Sequence, residues 1–231
     1  MIAVGHRGAA GLEPENTLRG FRRAIELGVD CVECDVHLTR DGRLAVIHDE
    51  TVDRTTDGHG AVSSFTLDEL KRLDAGKGER IPCLEEVLET VRGHVRVLVE
   101  LKGAGVEEAV VAVVSALGMA EEVTFTSFHL DRIARVRQIA PAQSTGAIFG
   151  EPPPDACARA AAAGARSIGI NHRFLTPILV QEARDRRLPL RAWNPDTEAE
   201  IEAMVDLGVD GIGSNRPDLL LAVLRRRGMH L

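Results

Sequence analysis

Three short segments place charge where a folded chain rarely tolerates it. The stretch VECDV at 32–36 carries Glu33 and Asp35, GHRG at 5–8 carries His6 and Arg7, and VELKG at 99–103 carries Glu100 and Lys102. Each ends an apolar, β-branched run, so each reads as the end of a strand. Alternation along a strand sets Glu33 and Asp35 on one face and Val32, Cys34 and Val36 on the other, and it also puts Glu100 and Lys102 on a common face. Carboxylates turned inward without a partner would cost several kcal/mol unless a cation sat between them. Three carboxylates with no matching cysteine ligands suit a hard ion such as Mg²⁺ or Ca²⁺ better than a structural zinc.

A second histidine arrives by way of a hairpin. After Asp35 the chain runs VHLTRDGRLAVIHDE, and Asp-Gly between alternating segments is a strong hairpin signal. A two-residue loop at Asp41 and Gly42 pairs Arg40 with Arg43 and Thr39 with Leu44, which places His48 directly opposite Asp35. Two histidines beside a hard cation suggest paired acid and base work, while Arg7 and Lys102 suggest an anionic substrate. Phosphoryl transfer or hydrolysis is the chemistry that uses all of them.

The elements that must position these residues alternate along the whole chain. Strand patterns fall at 2–6, 30–37, 96–102, 122–127, 144–149, 166–171, 189–193 and 210–214, with helical patterns at 17–27, 84–92, 106–118, 129–139, 155–163, 176–187, 197–207 and 217–227. Eight strand and helix pairs in 231 residues predict a single α/β domain over 1–231, a (β/α)₈ barrel, with a doubly wound open sheet as the competitor. The hairpin arm at 43–48 is then an excursion above the barrel and no ninth barrel strand. Barrel active sites sit at the C-terminal strand ends, where the charged segments lie.

Composition narrows the partners. With 28 basic and 35 acidic residues, a formal charge of −7 and no basic block, the chain is no candidate for nucleic acid. No apolar run is long enough for stable membrane insertion and no leader pattern is evident, so a soluble, cytoplasmic protein is expected; its oligomeric state is not written in the sequence. Cys31 and Cys34 form a C-x-x-C, but on a strand they face opposite ways, which argues for reduced packing cysteines.

Taken together, GHRGAAGLEPENT at 5–17, VECDVHLTRDGRLAVIHDETVDRTTDGHG at 32–60, VELKG, TSF at 126–128 and GVDGIGSNRPD at 208–218 resemble the glycerophosphodiester phosphodiesterase family. The resemblance implies a barrel enzyme that uses a divalent cation to hydrolyse a glycerophosphodiester to sn-glycerol 3-phosphate and an alcohol. It implies metal ligation by Glu33, Asp35 and Glu100, acid and base roles for His6 and His48, and phosphate contact by Arg7 and Lys102. One departure stands out: members usually separate the tryptophan and asparagine of the seventh strand by two residues, whereas RAWNPD has Trp193 and Asn194 adjacent.

Trp193, at a strand's C-terminal end, is a candidate to pack against the alcohol or choline end of a substrate. Glu15 and Asn16 read as a turn and helix cap, His59 as a loop residue, and His37, His94, His129, His172 and His230 are assigned no role. Two rival readings use the same residues. Another metal-dependent barrel enzyme, lysophospholipase D-like or sugar-converting, would in the latter case want a Schiff-base lysine. A catalytically silent ligand-binding relative would be expected to have lost a histidine or a carboxylate.

Overall fold

The computed structural model describes residues 1–230. Nine strands form one sheet: β1 (Ile2–Gly5), β2 (Cys31–Leu38), β3 (Leu44–Val46), β4 (Arg96–Leu101), β5 (Val123–Ser127), β6 (Ser144–Phe149), β7 (Ser167–Asn171), β8 (Leu190–Trp193) and β9 (Gly211–Ser214). Eight of them pair in parallel, and the pairing of β1 with both β9 and β2 closes the barrel. β3 runs antiparallel along β2 and stands outside the closed ring. The (β/α)₈ barrel with a hairpin excursion is therefore the observed architecture.

The outer helices are α1 (Leu18–Leu27), α3 (Leu84–Val91), α4 (Glu107–Ala116), α5 (Leu130–Ile139), α6 (Ala156–Ala162), α7 (Pro177–Asp185), α8 (Glu198–Leu207) and α9 (Pro217–Arg226). Side chains cap their starts: the Thr17 hydroxyl, one residue past the expected cap Asn16, accepts from the Gly20 N–H, Thr176 caps α7 ahead of Pro177, and Thr197 and Glu200 form a capping box on α8. The main core lies between strands and helices, where Val32, Cys34, Val36, Val97, Val99, Phe125, Ile168, Ile170 and Ile212 are buried. Each of these alternates with an inward-facing neighbour, so the barrel's own interior takes the other half of every strand.

One sequence reading needs correction here. The hairpin pairs Val36 with Val46, His37 with Ala45 and Leu38 with Leu44, one residue short of the predicted register. Gly42 takes a left-handed conformation at φ 73°, and the Thr39 N–H donates to the Arg43 carbonyl at 2.9 Å. The loop thus has three residues, Arg40 to Gly42, and Ile47 instead of His48 lies across from Asp35. Residues 49–83 form a structured segment beside the barrel. It carries a short 3₁₀ turn (Val62–Ser64) and the one-turn helix α2 (Leu67–Leu70), and it closes over a separate small core of Ala45, Ile47, Val52, Val62, Leu70, Ala75 and Ile81.

Cys31 and Cys34 point to opposite sides of the β2 strand, Cys31 into an interior cluster with Val4 and Leu98 and Cys34 into the outer core. All four cysteines are unpaired and buried. No helix among the described residues is long and apolar enough to cross a membrane.

Candidate active site

At the C-terminal mouth of the barrel a pocket of about 200 Å³ is lined by His6, Arg7, Glu33, His48, Glu100 and Lys102, with Phe128, Trp193 and Asn194 on a further wall and Arg191 at depth. Its position follows from the strand register. Glu33 and Asp35 face inward from β2, and Asp35 pairs in register with Glu100 on β4. His6 and Arg7 continue β1 beyond Gly5, and the hairpin arm returns His48 over the same rim.

Glu33, Asp35 and Glu100 are all buried, and they can offer three oxygens within 4.8 Å of one another. Glu33 Oε1 and Asp35 Oδ1 are buried without a hydrogen-bond partner. Bare buried acceptors of this kind cost free energy, and hard oxygen donors converging on one point fit a divalent cation. Burial, then the negative charge of Asp35 and Glu100, holds the Glu33 carboxyl well above the usual carboxylate range. Burial and Asp35 push Glu100 up to about 7 against the opposing charge of Lys102. Lys102 Nζ lies 2.8 Å from Glu100 and 3.7 Å from Asp35, and Arg7 Nε lies 3.3 Å from Asp35.

Each histidine is oriented by one nitrogen and presents the other. His6 Nδ1 lies 2.7 Å from Asn215 Oδ1. The Asn215 amide is fixed in turn, because its Nδ2 donates to Asp196 Oδ2 at 2.6 Å. Nδ1 of His6 therefore carries the proton and Nε2 is the acceptor nitrogen, 3.8 Å from Glu33 and 3.4 Å from the Asn194 amide nitrogen. Burial, and next the charge of Arg7, lowers His6 to about 4, which keeps the ring neutral. His48 Nδ1 lies 2.6 Å from Asp49 Oδ1, leaving Nε2 toward the pocket.

Several residues that sequence reasoning set aside belong to this site. Thr17, one position after Asn16, is the α1 cap. Asn16 is buried, takes a left-handed backbone at φ 55°, donates from Nδ2 to Asp35 at 2.9 Å and accepts the Asp35 N–H at Oδ1, 3.4 Å. Glu15 accepts from Arg7 at 2.8 Å. His37 Nε2 sits 3.0 Å from the His48 carbonyl oxygen and braces the returning arm. The only signal for these was their crowding beside the charged segments.

Trp193 lies in the pocket wall, its ring edge-on to Phe128 with centroids 5.7 Å apart, and Lys102 Nζ sits 5.4 Å from the Phe128 centroid. The adjacent Asn194 directs Nδ2 toward the His6 ring, 3.3 Å from Nδ1 and 3.4 Å from Nε2. Asp196 is two residues further along and anchors Asn215.

Residues 6–219 match the Glycerophosphoryl diester phosphodiesterase family. The glycerophosphodiester phosphodiesterase of Caldanaerobacter subterraneus subsp. tengcongensis is 37% identical over 240 residues, covering 98% of this chain and 99% of that one. A solved glycerophosphodiester phosphodiesterase from Agrobacterium tumefaciens superposes with a TM-score of 0.87 at 33% identity, covering 96% of this chain and 100% of that one. A phosphodiesterase of Oleispira antarctica, solved in complex with the product sn-glycerol-3-phosphate, superposes with a TM-score of 0.89 at 26% identity and covers 97% of both chains. This chain belongs to the glycerophosphoryl diester phosphodiesterase family.

Proposed function

We propose that this chain, as one catalytic domain over 1–231, hydrolyses glycerophosphodiesters to sn-glycerol 3-phosphate and an alcohol with the help of one divalent cation, Mg²⁺ or Ca²⁺. The observation that carries the reading is the meeting of three buried acids, two of them with unpartnered oxygens, with two anchored histidines and two cationic side chains around one pocket. The product bound to the Oleispira relative supports the substrate class. The four buried, unpaired cysteines support a reducing, cytoplasmic location.

Glu33, Asp35 and Glu100 would hold the cation. When bound, it neutralises non-bridging phosphate oxygens as a Lewis acid. Arg7 and Lys102 bring positive charge to the same oxygens from the rim, and a fixed, partly desolvated charge stabilises the transition state without reorganising. His6 takes the proton of the attacking hydroxyl at its Nε2, either that of water directly or that of the glycerol 2-hydroxyl, in which case water then opens the cyclic phosphate to glycerol 3-phosphate. His48, held through Nδ1 by the Asp49 carboxylate, gives a proton from Nε2 to the departing alcohol oxygen. Each transfer is worth ~10²–10⁴ in rate. Trp193 and Phe128 form the wall for the alcohol end.

The test is release of glycerol 3-phosphate from glycerophosphocholine and glycerophosphoethanolamine, with EDTA, Mg²⁺ or Ca²⁺, for wild type and His48→Ala. Cation-dependent release that His48→Ala abolishes is the expected result. Absence of release from either diester with any cation would overturn the substrate assignment.

A further inference from the structure

Arg191 is a charged side chain that the reaction above leaves unused. It sits on the inward face of β8, inside the barrel, and its register partners on either side, Gly169 and Gly211, have no side chains. The space they leave is filled by Arg191: a Cβ on Gly169 would lie 3.2 Å from its Nη2, and a Cβ on Gly211 would lie 3.8 Å from its Cγ. The residue lines the floor of the catalytic pocket and also borders a second cavity at the opposite end of the barrel. Among the described residues no hydrogen bond or ion pair is made by its guanidinium.

An unpaired charge inside a barrel is unfavourable, and an aliphatic chain in its place is often neutral or stabilising. The acid cluster above it gives the charge a use. Lys102 pairs with Glu100 and Arg7 with Asp35, while Glu33 has only the Arg7 backbone N–H at 3.0 Å and the neutral His6 ring. Glu33 and Glu100 are the carboxylates whose charge bears on Arg191. With Arg191 counted, three positive side chains match the three acids in the ionised form that an ion requires.

We infer that Arg191 is an internal counter-charge to the Glu33–Asp35–Glu100 cluster. It holds down the affinity for a lone divalent cation, so that the cation and the anionic diester are taken up together. This rests on the cation reading of the site given above. A balanced site gains two positive charges when the ion enters alone, whereas an anionic substrate offsets part of that excess. Removing Arg191 leaves the site with a net negative charge that favours the ion by itself.

The experiment measures binding of Mn²⁺, Mg²⁺ and Ca²⁺ alone by titration calorimetry, at one fixed pH and without substrate, for wild type, Arg191→Met and Arg191→Lys. Arg191→Met is expected to bind the ion roughly tenfold tighter or more, the scale of one unit charge acting across a partly buried site. Arg191→Lys should stay close to wild type, and added glycerol 3-phosphate should strengthen ion binding more in wild type than in Arg191→Met. Damage to the fold weakens ion binding, so a gain reports charge. Should Arg191→Met fail to fold, Arg191→Gln carries the same expectation. Unchanged or weaker binding in a folded, uncharged variant overturns the role of Arg191 while leaving the cation reading intact. A wild type that binds no ion overturns both.

Discussion

His6 Nδ1 and Asn215 Oδ1 are 2.7 Å apart and 209 residues apart in sequence, so the end of the first barrel strand is tied to the loop after the last. Asp196 accepts from the Ser214 hydroxyl, the Asn215 N–H and the Asn215 amide, which fixes the direction in which that amide faces. The contact decides which nitrogen of His6 is free to accept a proton. Asn215→Leu is therefore expected to lower kcat by roughly 10–100-fold, the range found when a partner that orients a functional histidine is lost, with little change in KM. Steady-state kinetics checks this, and an unchanged kcat would show that the ring is oriented by something else.

Arg54 links the two sides of the pocket through the excursion. Its Nε and Nη2 donate to Asp49 at 2.7 and 3.0 Å, and its Nη1 and Nη2 donate to Glu15 at 2.9 and 2.8 Å. Asp49 holds His48, and Glu15 holds Arg7. One exposed guanidinium thus fixes both a candidate acid and a candidate phosphate contact. Arg54→Met is expected to lower kcat/KM by roughly 10²-fold, with both kcat and KM affected, because two anchored residues are released together. Arg54→Lys should restore only a part, since an ammonium cannot reproduce two forked pairs. A variant that loses only stability, with kinetics intact, would refute the linkage.

The barrel was legible in the sequence because its signal is local. Eight apolar β-branched runs, alternating with amphipathic stretches that stop at Gly28, Gly118, Gly164 and Gly208, specify strand and helix without knowledge of neighbours. Glu33, Asp35, Glu100, His6 and Arg7 were legible for a related reason, since acids and bases at the ends of buried strands violate the pattern around them. His48 was found by counting along a hairpin. The count was one residue off because Gly42 bulges the loop, yet the arm still delivers the ring to the rim. What escaped were residues whose role depends on a partner distant in sequence. Asn16 looks like a cap until Asp35 is seen against it, and Asn215 and Asp196 look like turn residues until His6 is. Arg191 escaped because nothing local reveals that its neighbours across β7 and β9 are glycines.

Gly8 illustrates a positional demand in the GHRG segment that chemistry alone would not predict. Its φ is 82°, and a Cβ there would lie 2.6–2.8 Å from backbone atoms of Gly20 and Phe21 on α1. Arg7 beside it also adopts a left-handed backbone, at φ 49°, so the turn that presents Arg7 is held tightly against the first helix. Gly8→Ala combines a disfavoured conformation with a clash against backbone that cannot move aside, and it is expected to destabilise the fold by about 2 kcal/mol or more. Urea unfolding measures this directly. A loss below about 0.5 kcal/mol would mean that the turn relaxes freely.

The acid cluster makes a prediction about pH that isolates one group. Burial and the charge of Asp35 raise Glu100 from 4.5 to about 7 in the folded chain. Between those values the native protein holds a proton that the unfolded chain has released, so this group's contribution to stability falls as pH rises through the window, by up to ~1.4 kcal/mol per pH unit. His6, lowered from 6.5 to about 4, works the other way: its unfolded form binds the extra proton, so its contribution rises with pH over about 4 to 6.5. The two partly cancel in the wild type, and the comparison that separates them is with Glu100→Gln, which mimics the protonated acid at every pH. Wild type and Glu100→Gln should have similar stability near pH 4.5, and the variant should become progressively more stable than wild type up to about pH 7. That gap should close when Mg²⁺ or Ca²⁺ is added to the wild type, because an ion bound to the deprotonated acids stabilises the native state in place of the proton. Denaturant melts at half-unit pH steps, with EDTA and with each ion, measure both effects. A gap that stays constant with pH in EDTA would mean that Glu100 ionises normally and that the cluster is less confined than its burial indicates.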